Sequence, residues 1–289
     1  MAIVMDKNTK VIVQGITGHQ GRFHTKAMLE LGTNIVAGVT PGKGGQRVEG
    51  VKVFDNVSEA AKKTGANASV VFVPAAMTKD SVIEAIDSGI KLITIITEHV
   101  PFQDMLKLRE YADLNDAVII GPNCPGLAVP GVGKMGIIPN SILKKGSVGV
   151  ISRSGTLTYE IVNVITASGL GESTVLGIGG DKVPGLDFIG ALKLFKEDKQ
   201  TKGVVIVGEI GGDEEEKAAE FIRKEFSKPV FAFIDGSYAP PGKRMGHAGA
   251  IISGKTGTAK SKLDAFEKAQ VPVAKTFKEL GELLLKRIK

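Results

Sequence analysis

His247 stands in the run Pro240-Pro241-Gly242-Lys243-Arg244-Met245-Gly246-His247-Ala248-Gly249-Ala250, which follows an apolar stretch, 229–234, and is too rich in proline and glycine for helix or strand. Glycines on both sides of the histidine remove side-chain bulk, so another group can approach the imidazole closely. Lys243 and Arg244 bring positive charge to the same turn. That combination suits a histidine that handles an anion, because a neutral imidazole can attack phosphorus without first losing a proton. The competing reading is a lone surface histidine. A carboxylate bears on the choice: Glu209, in Glu209-Ile210-Gly211-Gly212, follows the apolar run 204–207 and emerges at the same sheet edge as the histidine loop. There it can hold one ring nitrogen and leave the other free to act.

A second pattern with chemical content opens the chain. The apolar strand Val11 to Val13 runs into Gln14-Gly15-Ile16-Thr17-Gly18-His19-Gln20-Gly21 and then a helical pattern that ends near Gly32. Glycines at 15, 18 and 21 let the backbone turn sharply and approach a ligand, and the helix that follows aims free N–H groups at negative charge. The spacing is G-x-x-G-x-x-G, not the dinucleotide G-x-G-x-x-G. After the next strand, Ile35 to Val39, a nicotinamide enzyme keeps an acid for the ribose hydroxyls, whereas this chain has Thr40-Pro41-Gly42-Lys43-Gly44-Gly45. A lysine there suits a ribose phosphate, which coenzyme A carries on its 3′ oxygen, so the loop favours CoA over NAD. The alternative is that these glycines only pack helix against strand.

Three further strings carry residue types with possible chemistry. Ser152-Arg153-Ser154-Gly155-Thr156 follows the strand Val148 to Ile151 and opens a helix that runs to Gly169, which makes another anion site. A hydrolase elbow competes, but it wants glycine where Ser152 stands. Gly249-Ala250-Ile251-Ile252-Ser253-Gly254-Lys255-Thr256 satisfies a Walker A string letter for letter, yet it follows a Pro/Gly loop where a strand is required, its middle is apolar, and Thr258 caps the next helix only after Gly257. No triphosphate site of the chain's own is expected. His99, in Thr97-Glu98-His99 at a strand end, reads as an exposed loop residue, and Cys124, between prolines, reads as structural.

The elements that position these groups alternate. Apolar runs at 69–73, 92–96 and 118–120, and later at 174–178, 204–207 and 230–234, are separated by helical patterns, one of them Asp213 to Ser227 with Glu214-Glu215-Glu216 at its positive end. Continuous apolar strands with crossover helices imply parallel sheets covered on both faces, with ligands at the carboxyl ends of the strands. The breaker-rich stretch from Gly121 to Gly146 reads as a crossing between two such domains. Of 289 residues 37 are glycine and none is tryptophan, and the net charge of +6 is spread over interspersed acids and bases. Nucleic-acid or membrane binding is therefore not expected, and a small polyanion fits better. One cysteine fits a reducing compartment, and no apolar run reaches a membrane span, so a cytoplasmic location is expected.

Taken together, Gln14-Gly15-Ile16-Thr17-Gly18, 38–45, Gly121-Pro122-Asn123-Cys124-Pro125-Gly126, 152–160, Gly208-Glu209-Ile210-Gly211-Gly212 and 242–251 resemble, end to end, the alpha-subunit family of succinyl-CoA synthetase, the succinate–CoA ligases. The resemblance implies an α/β protein: an N-terminal Rossmann-like CoA-binding domain (1–122), a crossing (123–146) and a second doubly wound, flavodoxin-like domain (147–289) that carries the histidine loop. It implies a ligase that forms a carbon–sulfur bond through a phosphohistidine, with His247 phosphorylated and Glu209 positioning it. Thr17, Gly18, His19, Gln20, Lys43, Ile96, Thr97 and Glu98 match the family's CoA positions, Tyr159 the organic-acid position, and Ser154, Gly155 and Thr156 the helix start that holds phosphate. No protein-bound metal is implied. The Mg-nucleotide is expected on an ATP-grasp beta subunit, in a heterodimer or an α2β2 heterotetramer. The chain departs from the family pattern at His99, where glycine is expected, and at Lys182, where proline is expected. A malate- or citrate-CoA ligase, a CoA-sensing module without chemistry and an NAD(P)-dependent oxidoreductase are the alternatives.

Overall fold

The computed structural model describes residues 4–236, 246–252 and 257–288. They form two compact units, one made of Val4–Asn140 with Val183–Gly185, the other of Ser141–Lys182 with the chain from Leu186 onward.

In the first unit β1 (Val11–Gln14), α1 (His19–Glu30), β2 (Ile35–Val39), β3 (Arg47–Val48), β4 (Val51–Phe54), α2 (Val57–Thr64), β5 (Ala68–Val71), α3 (Ala75–Asp87), β6 (Leu92–Ile95), α4 (Phe102–Leu114) and β7 (Val118–Ile120) follow one another. The sheet order is β3-β4-β2-β1-β5-β6-β7, parallel throughout except for the β3/β4 pair. Counting only the parallel strands in chain order gives 3-2-1-4-5-6, the Rossmann arrangement, whose direction reverses between β1 and β5. Strands β1, β5 and β6 are buried along their whole length, which is why their sequences run apolar without alternation. Ile12, Val71, Ile93 and Ile95 pack in one core with Val82 and Ile86 of α3 and Met105 and Leu108 of α4. Local chemistry sets the boundaries: the Asn56 side chain accepts from Glu59 N at 2.8 Å to start α2, and Gly65 at φ +69° ends it. The breaker-rich segment beyond β7 holds an antiparallel hairpin, β8 (Gly126–Val129) and β9 (Gly133–Gly136). It is tied to the same unit by Thr33, whose hydroxyl donates to Lys134 O at 2.8 Å and accepts from Lys134 N at 2.9 Å.

The second unit comprises β10 (Lys145–Ser152), α5 (Gly155–Ala167), β11 (Glu172–Gly177), α6 (Phe188–Glu197), β12 (Gly203–Glu209), α7 (Glu214–Glu225), β13 (Val230–Asp235), α8 (Ala259–Lys268), β14 (Val273–Ala274) and α9 (Phe277–Arg287). Its five strands are parallel and lie in the order β11-β10-β12-β13-β14, which is 2-1-3-4-5 in chain order, the flavodoxin-like arrangement. The direction reverses between β10 and β12. Four helices start on side-chain caps: Ser154, Asp187, Thr258 and Thr276 accept from the backbone N–H three residues on. Helix α7 spans Glu214–Glu225, shorter than the run 213–227 expected, with Asp213 at its N-cap position and Phe226 already extended. No helix among the described residues is long and apolar enough to cross a membrane.

Candidate functional site: a carboxylate-held histidine at a switch point

Strands β10 and β12 are parallel neighbours, with Ser152 opposite Val207. The chain leaves β10 through Arg153 and Ser154 into α5, and leaves β12 through Glu209 into Ile210-Gly211-Gly212 and α7. Both exits lie at the carboxyl edge where the strand order reverses, the place where open α/β sheets bind ligands.

Oε2 of Glu209 lies 2.6 Å from Nδ1 of His247. The pair is formed by residues 38 apart in the chain, and the Glu209 side chain is only 9% exposed against 26% for His247. A carboxylate accepts, so Nδ1 carries the proton it donates and Nε2 is the nitrogen left for chemistry. The hydrogen bond to Glu209 raises the His247 pKa above its ordinary value, against the opposing effects of burial and of Arg153. Gly180, after β11, completes the seat: a Cβ there would overlap the imidazole ring, and its carbonyl accepts from Gly249 N at 3.1 Å. The far end of the histidine segment is held by Gly211 N, which donates to Gly257 O at 2.8 Å, and by a small core of Ile210, Ile252 and Ala259.

Behind Glu209 lies a buried ionic group. Arg153 Nη2 is 3.6 Å from Glu209 Oε1, an oxygen that accepts no hydrogen bond among the described residues, and Arg153 Nη1 is 3.1 Å from Glu215 Oε1. Glu215 Oε1 also accepts Glu209 N at 3.1 Å, and Lys262 Nζ is 2.5 Å from Glu215 Oε2 and 2.9 Å from Glu216 Oε2. Burial works against the Arg153 charge, but Glu215 and then Glu209 outweigh it and hold its pKa above the ordinary value.

Ser154, Gly155 and Thr156 sit at the start of α5, next to Arg153. Ser154 Oγ accepts from Leu157 N at 3.3 Å as the cap, and a Cβ on Gly155 would meet nothing within 4 Å, so this glycine leaves open space in front of the helix N-terminus. Tyr159 lies one turn further along α5 and is partly buried. Lys243 and Arg244 lie outside the described residues. So do Ser253 to Thr256 of the Walker-like string; its first four residues, Gly249 to Ile252, and the three before them form no strand.

In the first unit the other expected residues gather at the carboxyl edge of the Rossmann sheet. Gly15, at φ +79°, makes the turn after β1, and a Cβ on Gly21 would collide with the Gly15 backbone, so both glycines are required by the geometry. Gly18 caps α1 with backbone alone, leaving Gly18, His19 and Gln20 exposed around its N-terminus. Thr17 Oγ1 donates to Thr40 Oγ1 at 3.2 Å, which joins this turn to the loop of Lys43. Lys43 is exposed, its N donates to Thr40 O at 3.1 Å, and Asp55 steadies the loop by accepting from Gly44 N at 2.8 Å. Ile96 and Thr97 follow β6, with Thr97 Oγ1 donating to Val73 O at 2.7 Å; Glu98 and His99 are exposed, 3.8 Å apart. Cys124 is buried, and its thiol donates to Ile95 O.

The sequence did not single out Arg153, Glu215 or Lys262 as site residues. One signal was available: Glu215, Ala218, Ala219 and Ile222 share the buried face of α7, so Glu215 falls on the apolar stripe and not on the solvated end.

Residues 6–99 match the family described as CoA binding domain and residues 151–271 the family described as CoA-ligase. A Rossmann CoA unit followed by a flavodoxin-like unit with a carboxylate-held histidine at its switch point therefore defines an acid–thiol ligase subunit. The chain is 58% identical over 284 residues to the succinate–CoA ligase [ADP-forming] subunit alpha 2 of Archaeoglobus fulgidus, covering 98% of this chain and 99% of that one. It is 54% identical over 291 residues to the corresponding alpha subunit of Aquifex aeolicus, covering 100% and 95%. The chain belongs to the succinate–CoA ligase alpha-subunit family. Among solved structures, ATP citrate lyase from Methanothrix soehngenii in complex with citrate and coenzyme A superposes with a TM-score of 0.88 at 26% identity, over 99% of this chain and 52% of that one.

Proposed function

We propose that the chain joins succinate to CoA at the expense of ATP, acting as the alpha subunit beside an ATP-grasp beta subunit, by way of a phosphoryl group carried on His247. The observation that carries this reading is the 2.6 Å contact between Glu209 Oε2 and His247 Nδ1. It leaves Nε2 as the nucleophile and places a carboxylate where the ring gains positive charge on phosphorylation. The γ-phosphoryl of ATP, whose magnesium complex is held on the partner, passes to Nε2 and ADP leaves. The phosphoryl then moves to a succinate oxygen, which gives succinyl phosphate and restores the imidazole. The CoA thiolate attacks the acyl carbon, the thioester forms and inorganic phosphate departs. Splitting the reaction this way makes each phosphoryl step an in-line displacement with charge stabilised by the start of α5 at Ser154, Gly155 and Thr156.

CoA is assigned to the carboxyl edge of the first unit, with its phosphates on the Thr17–Gln20 turn and α1 N-terminus, Lys43 toward the ribose phosphate, and Ile96, Thr97 and Glu98 along the β6 exit. Tyr159 is assigned to the organic acid. ADP-forming names among the relatives favour ATP over GTP. Citrate is the second acid to consider, because the structural neighbour is named for it. The test is an acid panel with the co-expressed beta subunit: succinate should support thioester formation far above malate and citrate, and a preference for either of those acids would overturn the assignment.

A further inference from the structure

We propose that Arg153 and Glu215 are positioning residues for phosphoryl transfer, Glu215 fixing the Arg153 guanidinium and Arg153 fixing the Glu209 carboxylate against His247. This deepens the reading of His247 as the phosphoryl carrier and rests on it.

Glu215 spends both oxygens on one task. Its Oε1 receives Arg153 Nη1 and the backbone N–H of Glu209, both at 3.1 Å, so the main chain of Glu209 and the cation beside its side chain are referred to the same carboxylate. Its Oε2 is held by Lys262 at 2.5 Å, and Lys262 and Glu215 are both 0% exposed. Buried ionic sets of this kind add little to stability over apolar residues of the same volume, so stability alone does not account for this one. The histidine segment is also shaped around the guanidinium: a Cβ on Gly249 would stand 2.6 Å from Arg153 Nη2, so any larger residue two places after His247 would displace Arg153.

The charges that face His247 come from three exits. Glu209 on β12 and Asp181 after β11 raise its pKa, Arg153 after β10 lowers it, and Glu215 on α7 stands behind Arg153; Lys243 and Arg244, on the same loop, lie outside the described residues. Nε2 must be unprotonated to take a phosphoryl group. Arg153 thus has two separable effects, orientation of Glu209 through its planar fork and opposition to protonation of His247 through its charge.

Two substitutions separate these effects in the assembled alpha–beta enzyme, read as the rate of phosphohistidine formation from ATP between pH 5.5 and 9. Arg153→Lys keeps the charge and loses the fork; labelling should slow by about tenfold while the acid limb of the profile stays in place. Arg153→Gln loses both; labelling should slow at least as much and the acid limb should move to higher pH. Glu215→Gln should slow labelling as Arg153→Lys does. A wild-type labelling rate in Arg153→Lys, or a wild-type acid limb in folded Arg153→Gln, overturns the proposal. Label on wild-type His247 is the separate check of the functional reading, so a failure of that reading is distinguishable from a failure of the positioning role.

Discussion

The carboxylate of Glu209, the last residue of β12, meets the Nδ1 edge of His247 at 2.6 Å and leaves the Nε2 edge of the ring open. Because that hydrogen bond is the largest of the influences that raise the His247 pKa, its removal has a defined sign. In Glu209→Gln the imidazole should lose its proton at lower pH, so the acid limb of phosphoenzyme formation should move down, opposite to Arg153→Gln. The amide can still accept from Nδ1–H but supplies no charge to the phosphorylated ring, so the rate above the limb should fall by roughly 10²-fold. A pH series of single-turnover labelling checks both; an unmoved limb would mean that Glu209 does not govern the histidine.

Gly180 offers a test that leaves every polar group in place. Its backbone lies outside the left-handed region, so alanine is conformationally acceptable there, yet the added Cβ would overlap the His247 ring. Gly180→Ala should cut phosphohistidine formation by about tenfold or more while the thermal midpoint stays within a few degrees of wild type. Normal labelling in this variant would show that the ring is not seated as described.

Much of this arrangement could be read from residue types, and the limits have physical reasons. The Gly15, Gly18 and Gly21 spacing announced its turn because only glycine tolerates φ +79° at Gly15 and the contact at Gly21. His247 and Glu209 could be brought together on paper because each follows a strand of a parallel sheet, and such sheets deliver strand ends to one edge. The Arg153–Glu215–Lys262 group could not, since its members are 62 and 47 residues apart and no spacing rule links them. Glu215 also resembles its neighbours in the acidic first turn of α7, where the helix dipole offers a sufficient local explanation. Strands β3 and β14, of two residues each, are too short to show a period, and the hairpin of β8 and β9 is hidden among glycines and prolines that read as loop.

Lys43 lies on an exposed turn pinned by Thr40 and by Asp55 through Gly44, so reversing its charge should not disturb the fold. If it reads the 3′-phosphate of CoA, Lys43→Glu should weaken CoA by about tenfold and 3′-dephospho-CoA by less than about twofold. Calorimetric titration of both ligands decides it, and equal weakening would remove Lys43 from that role.

Glu172 begins β11 fully buried, and burial pushes its pKa up to about 7. The folded state therefore holds a proton that the unfolded chain releases above its ordinary carboxyl range, so the contribution of Glu172 to stability is fully present at acid pH and is lost as pH rises from about 4.5 through about 7. Oε2 accepts from Lys144 N at 3.0 Å and Oε1 accepts from Thr166 Oγ1 at 3.0 Å; these contacts favour the carboxylate, but burial outweighs them and favours the neutral group. Glu172→Gln supplies that neutral group permanently. It should raise the thermal midpoint at pH 8 and leave it almost unchanged at pH 5, and a variant equally or less stable than wild type at pH 8 would contradict the protonated assignment.

The most direct measurement of the central claim follows acid-labile label from γ-phosphoryl-labelled ATP in three samples: the chain alone, the chain with its beta subunit, and His247→Asn with the beta subunit. Label should appear only in the second, mapped to His247, while His247→Asn still binds CoA and folds as wild type. Acid-labile label that survives in His247→Asn, or that forms on the chain without a partner, would contradict the account.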